Sequence, residues 1–212
     1  MSSPTELSPR AARTRSALIA SGLDLMVERA IDAIPIDDFV GKAGVAKGSF
    51  FNHFADKQDF AIAVAAEVRM EVEAQVALAN EAIGDPVERI AGGMRVAAEF
   101  ALDHPRKSVI LLRSQASSTA SAHPLNKGLK QDIDMACELG YLRAEARSSG
   151  VLYWLGLCQI LMINLVEFRP SHNEASGKLS EMLVLGLSGL GLPQPQAAQL
   201  AENTRLAANK NY

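Results

Sequence analysis

The strongest constraint in this sequence is where its punctuation falls. Proline and glycine are few, 9 and 15 among 212 residues, and most lie between stretches of helical period rather than inside them. β-Branched residues seldom alternate with polar ones, so strands have little to build on. An all-α chain follows. The clearest stripe is Phe60, Val64, Val68, Val72 and Val76, four-residue steps along one face of a long helix that Asp56 caps and Gly84-Asp85-Pro86 stops. The same reasoning places helices over residues 10–29, 36–43, 46–54, 87–103, 107–115, 124–140, 146–168 and 175–189, with a weaker one after Pro195. Residues 117–122, small and polar, read as a loop.

Composition narrows the function classes. Hydrophobic residues make up 48% and charged residues 21%, the balance of a chain with an ordinary packed core. A net charge of −3 argues against a generic polyanion binder but leaves room for a local basic patch. Cys137 and Cys158, the 2 cysteines, have no metal or redox spacing, so reduced thiols, no metal site and no cofactor are expected. The N-terminal arginines Arg10, Arg13 and Arg15 precede no apolar run of a signal peptide. The run Val151 to Val166 contains Gln159 and Asn164 and is shorter than the ~20 residues of a membrane crossing. It reads as a buried or dimer-interface helix of a cytoplasmic protein with no membrane partner.

The stretch AGVAKGSFFNHFADK, Ala43 to Lys57, can be read as a phosphate loop or as a turn and a helix that reads DNA. The phosphate loop fails. Gly44 and Gly48 have the wrong spacing for a Walker motif, Lys47 precedes the second glycine, and no apolar strand leads in. The helix-turn-helix reading accounts for each position. Gly44 makes the turn, while Phe39, Ala43, Val45, Phe50 and Phe54 pin the helices together. Lys47, Gly48, Ser49, Phe51, Asn52 and His53 are then left on the outer and leading face of the second helix. Lysine, serine, asparagine and histidine can bond to base edges or phosphates, and Gly48 lets the backbone come close. Lys57 can add a phosphate contact at the start of the next helix.

With these residues in register, residues 35–60, led in by RSALIASGLDLMVERAIDAI, resemble the DNA-binding domain of the TetR family of bacterial transcriptional regulators. The resemblance implies an N-terminal three-helix helix-turn-helix domain, residues 1–56, and a C-terminal helical effector-binding and dimerisation domain, residues 57–212. It adds Arg15, Pro35 and Ile36 to the expected DNA contacts. Some positions depart from the family pattern. Ala30 replaces a glycine, Pro35 a hydroxyl cap and Ala46 the serine or threonine that caps the reading helix. Phe51 stands where the family usually has a tyrosine. Asp37 would repel phosphate unless it points away or serves its own helix dipole.

One reading helix covers few base pairs, so a homodimer on a palindromic operator is expected, with reading helices about 34–36 Å apart. The interface candidates are Leu152, Leu155, Gln159, Met162 and Val166, then Leu179, Met182, Leu183, Gly186 and Leu190. The middle helices form the effector domain, with candidate pocket residues Met94, Phe100, Leu112, Met135, Cys137, Tyr141, Trp154 and Cys158. Such a lining suits a small, largely apolar effector, and the resulting expectation is a repressor that the effector releases from double-stranded DNA. No H-E-x-x-H, G-x-S-x-G, paired-carboxylate or Cys/His motif appears, so no catalytic residues are expected and the chain is not read as an enzyme. The rivals are a helical enzyme, or a small-molecule or protein-binding module, whose helix-turn-helix is not used for DNA.

Overall fold

The computed structural model describes residues 8–113 and 123–206, and the described residues contain helices and turns but no strand. The expected loop at 117–122 lies outside them. The chain divides into two compact units, the first ending at Val68 and the second beginning at Arg69.

The first unit contains α1 (Pro9–Met26), α2 (Ile36–Ala43), α3 (Lys47–Phe51) and the first turns of α4 (Lys57–Asn80). Ser8 opens α1 by accepting from the Ala11 N–H, with Pro9 at the first helical position, where a missing donor costs nothing. A short 3₁₀ turn, Ile31–Ala33, follows α1; it was not expected from the sequence. Pro35 flanks α2, and Gly44 ends it at φ +67°, a backbone region that residues with a Cβ avoid. Asp56 Oδ1 accepts from the amides of Gln58 and Asp59, while Asp59 reaches back to the Ala55 N–H. That makes a shifted capping box, with two carboxylates holding the free amides that start α4.

Four phenylalanines hold this unit together. Phe39, Phe50, Phe54 and Phe60 are buried, and the Phe60 ring centroid lies 4.8 Å from Phe39, 5.2 Å from Phe50 and 4.9 Å from Phe54. The steep interplanar angles set ring edges against ring faces, the arrangement the aromatic quadrupole favours. Ala43 and Val45, expected in the same seam, are only half-buried. Gly22 of α1 gives Phe60 its room, since a Cβ there would fall 2.6 Å from the Phe60 ring and from Val64.

The second unit takes the rest of α4, α5 (Pro86–Asp103), α6 (Pro105–Arg113), a 3₁₀ turn at Pro124–Asn126, α7 (Lys127–Glu138), α8 (Ala146–Phe168), α9 (His172–Leu190) and α10 (Gln194–Asn203). α5 is its centre and packs on α6, α7, α8 and α9. Its buried side includes Ile90, Met94, Ala97, Ala98, Phe100 and Ala101. α9 starts earlier than the expected residue 175 because Ser171 and Glu174 form a capping box. Their S-x-x-E spacing is visible in the sequence. α8 and α9 approach closely at Gly186, where a Cβ would sit 2.9 Å from Trp154 and from Leu157.

Candidate nucleic-acid interface and effector cavity

In the first unit, α3 has one buried side and one bare side. Phe50 turns into the aromatic cluster, whereas Lys47, Gly48, Phe51 and Asn52 are exposed and Ser49 and His53 half-exposed. Pro35 is exposed and Ile36 half-buried at the opening of α2. The residues singled out by sequence on and just after α3 are thus exposed or half-exposed, while the side chains of Lys47, Arg15 and Lys57 are engaged by partners within the unit. Arg15 lays its guanidinium 5.4 Å from the Phe54 ring centroid, a cation–π contact. Lys57 donates to the Asp32 carbonyl at 3.1 Å, and Gln58 donates to the Asp32 carboxylate.

Arg29, Lys42 and Lys47 of this unit are each paired with an acid. Asp37 lies in the first turn of α2, where a carboxylate suits the helix dipole, and its Oδ2 also accepts from Lys47 Nζ at 2.9 Å, with both side chains solvent-exposed. Asp38 takes Arg29 at 2.9 Å and Asp24 takes Lys42 at 3.2 Å. Exposed pairs of this kind contribute about 0–1 kcal/mol each to stability. Their larger effect is on the field, because each carboxylate offsets a charge that phosphate would otherwise meet.

In the second unit, a cavity of about 750 Å³ opens among α4, α5, α6, α7 and α8. Its middle is apolar, formed by Val72 and Val76 of α4, Ile90 and Ala97 of α5, and Trp154 and Leu155 of α8. Leu112, Met135, Trp154 and Cys158 are in the wall, as are Leu155, Gln159 and Met162 from the proposed interface. Met94, Phe100, Cys137 and Tyr141 are not among the lining residues. Met94 and Phe100 are wholly buried in the α5 packing, Tyr141 is exposed, and the Cys137 thiol donates to the Arg143 carbonyl. Burial pushes the Cys158 thiol up to about 12, so it remains a neutral thiol near pH 7.

The charged groups of this wall escaped the sequence reading. At one end Arg69 pairs with Glu73 and donates to Asn126 Oδ1 at 3.2 Å. Burial raises the Glu73 carboxyl above its ordinary value, against the pull of Arg69 and, more weakly, His123. At the other end Arg89 is held by Asp132 and by the carbonyls of Ile83 and Gly84. The available signal was the i,i+4 pair Arg69 and Glu73, set beside the valine stripe of α4 where a solvated face would not carry it. Among the described residues no group of three or more His, Cys, Asp or Glu is placed to hold a metal ion.

The expected interface residues divide by side of helix. Leu155, Met162, Leu179, Leu183, Gly186 and Leu190 are buried inside this unit, and Gln159, Val166 and Met182 are half-buried. Of that set only Leu152 is fully exposed. The free apolar stripe of α8 is Leu152, Gly156, Ile160 and Ile163, and α9 adds Leu185 and Gly189. α8 is apolar all round, so periodicity alone could not choose its outer side. At 23 residues it is also long and apolar enough to cross a bilayer, though Trp154, Cys158, Leu161 and Leu165 are buried against neighbouring helices.

Residues 18–64 match the family described as bacterial regulatory proteins, tetR family. The uncharacterized HTH-type transcriptional regulator YwcC of Bacillus subtilis is 38% identical over 47 residues, 22% of this chain and 21% of that protein. The transcriptional regulator AcuR of Cereibacter sphaeroides is 34% identical over 56 residues, 26% of each chain. The matched segment therefore spans about a fifth to a quarter of these relatives. RolR, in its crystal structure with resorcinol, has a similar fold across 94% of this chain and 97% of its own, with a TM-score of 0.67 at 20% identity. The matched segment is the helix-turn-helix unit, so residues 18–64 carry the N-terminal domain of the tetR family of bacterial regulatory proteins, and the fold of the whole chain is similar to that of RolR.

Proposed function

We propose that the protein is a ligand-responsive transcriptional repressor that binds a palindromic operator as a homodimer and leaves it when a small, largely apolar molecule fills the cavity. One observation carries the reading. α4 contributes Lys57 and Phe60 to the unit that presents α3, and Arg69 to Asn80 to the wall of a cavity large enough for a small molecule. A single helix is thereby common to a reading head and to a ligand site. A ligand that prefers one disposition of α4 shifts the spacing of paired reading helices, and by linkage it weakens DNA binding by the same coupling energy. Leu152, Gly156, Ile160, Ile163 and Leu185 supply the dimer face in this reading, with Gly156, which has open space beside it, letting a second copy come close. Lys47, Gly48, Ser49, Phe51, Asn52 and His53 face the major groove, and Lys57 serves the backbone. A cytoplasmic protein without enzymatic activity accords with this role, as does RolR's binding of resorcinol.

Asp37 and Phe51 favour the rival, a helical ligand-binding module that no longer reads DNA. Asp37 offsets Lys47, and Phe51 has no hydroxyl. Binding of the purified protein to its own upstream DNA and to scrambled DNA, at two salt concentrations, decides between them. A repressor shows tight, salt-sensitive, selective binding that Lys47→Ala and His53→Ala abolish without unfolding the protein. Absence of any preference supports the module.

A further inference from the structure

Gly92 and Gly93 stand side by side in the middle of α5, the helix at the centre of the second unit. Glycine gives up more backbone freedom in a helix than any other residue, so each position needs a reason. Packing supplies one for Gly92. A Cβ there would fall 2.4 Å from Asn80 Oδ1, and the Asn80 amide is fixed by donating to the Arg89 carbonyl at 3.0 Å. Gly93 has no such neighbour. Its Cβ would meet only Val76 Cγ1, at 3.9 Å, an ordinary van der Waals contact. Its φ is not positive either, so the backbone does not call for glycine.

What lies beside Gly93 is the cavity. Gly93 belongs to its wall, and so does Val76, the one side chain near the position of the missing Cβ. Ile90 and Ala97, one turn to either side on the same face of α5, are wall residues too, but they are only 1% and 6% exposed, whereas Gly93 is half-buried. The part of α5 that the cavity touches most openly is therefore bare backbone at Gly93. A side chain there would point into the cavity rather than into another helix. It would add contacts to lining atoms that lack partners on that side, and it would meet no clash. Glycine at this position thus weakens the helix and leaves the interior less filled, and what it preserves is room.

Deepening the effector reading above and resting on it, we infer that Gly93 is the residue that sets the size of molecule the cavity takes: the apolar body of the ligand lies against the bare α5 backbone at Gly93, and each carbon added there shrinks the largest molecule the site admits.

The probe is N-phenyl-1-naphthylamine, an uncharged aromatic whose emission rises in apolar surroundings. It is titrated into the full-length wild type and into Gly93→Ala, Gly93→Val and Gly93→Leu, with Tm and binding of upstream DNA measured alongside. Affinity for the probe is expected to fall stepwise through the series, from about threefold for alanine to about tenfold or more for leucine. Gly93→Ala should at the same time raise Tm by about 2–4 °C, because it removes a helix-interior glycine where a methyl fits. Gly92→Ala should lower Tm, because Asn80 must move. A Gly93 kept for packing would behave as Gly92 does, and probe affinity would then follow the loss of fold instead of side-chain size. Should the leucine variant fail to fold, the alanine and valine steps and the contrast with Gly92 decide. The inference is overturned if Gly93→Ala destabilises the protein, if the filled variants bind the probe as wild type does, or if wild type takes no probe. Probe binding that ignores the side chain at 93, in a protein that holds its upstream DNA selectively, sinks this inference and leaves the regulator reading standing. Stepwise loss of the probe in a protein that holds no upstream DNA does the reverse.

Discussion

The two units of this chain solve opposite packing problems. The first turns its large aromatic side chains onto one another, so that Phe60 touches Phe39, Phe50 and Phe54, and leaves outside a face of lysine, serine, asparagine and histidine. The second keeps a cavity of about 750 Å³ inside and leaves an apolar stripe outside, from Leu152 to Ile163 on α8. A filled interior with a polar exterior makes a rigid surface to be read against. A hollow interior with an apolar exterior is incomplete twice over, and a ligand and a second copy of the chain are what the proposed function supplies.

The contrast can be tested from both sides, and the largest effect belongs to the filled interior. Phe50→Ala removes a fully buried ring, which costs about 3–5 kcal/mol and exceeds what so small a unit can lose. The expected outcome is a chain whose first unit melts while the helical second unit still unfolds cooperatively, with DNA binding gone. One common transition would mean that the units are not separable in this sense. Next comes the exposed stripe. Ile160 is 61% exposed, so Ile160→Glu leaves the monomer's packing intact. It sets like charges face to face across a two-fold interface, and sedimentation should then show a monomer with operator affinity down by about tenfold or more. A dimer that survives the charge places the interface elsewhere. The smallest effect is electrostatic. Asp37→Asn frees Lys47 and removes an anion from the reading face. Affinity should rise severalfold for operator and scrambled DNA alike, with the salt dependence steeper by about one phosphate contact. Gain on the operator alone would make Asp37 a reader of sequence instead.

The sequence was most legible where structure is local. Pro35 and Gly44 mark the ends of α2 because a fixed φ and a positive φ are properties of single residues. The aromatic residues of α3 sort themselves into Phe50 inside and Phe51 outside by the turn that joins them to α2. Ser171 and Glu174 were just as local, and their capping box extends α9 by a turn that apolar periodicity alone does not include. The cavity was legible only in part. Leu112, Met135, Trp154 and Cys158 are apolar or soft, as a pocket wall is expected to be, while Met94 and Phe100 have the same character and are plain core. Composition cannot separate a residue that faces a void from one that faces another side chain.

By itself, then, the sequence determined the helices, their caps and the outward row of α3, because each follows from interactions within a few residues along the chain. Only the tertiary structure decided which side of α8 is buried, that Asp37 holds Lys47, and that Arg69 and Glu73 look into a cavity rather than into solvent. The physical reason is the same in each case. A helix that is apolar all round, an exposed carboxylate and an i,i+4 ion pair are each compatible with several surroundings, and what surrounds them is supplied by other helices.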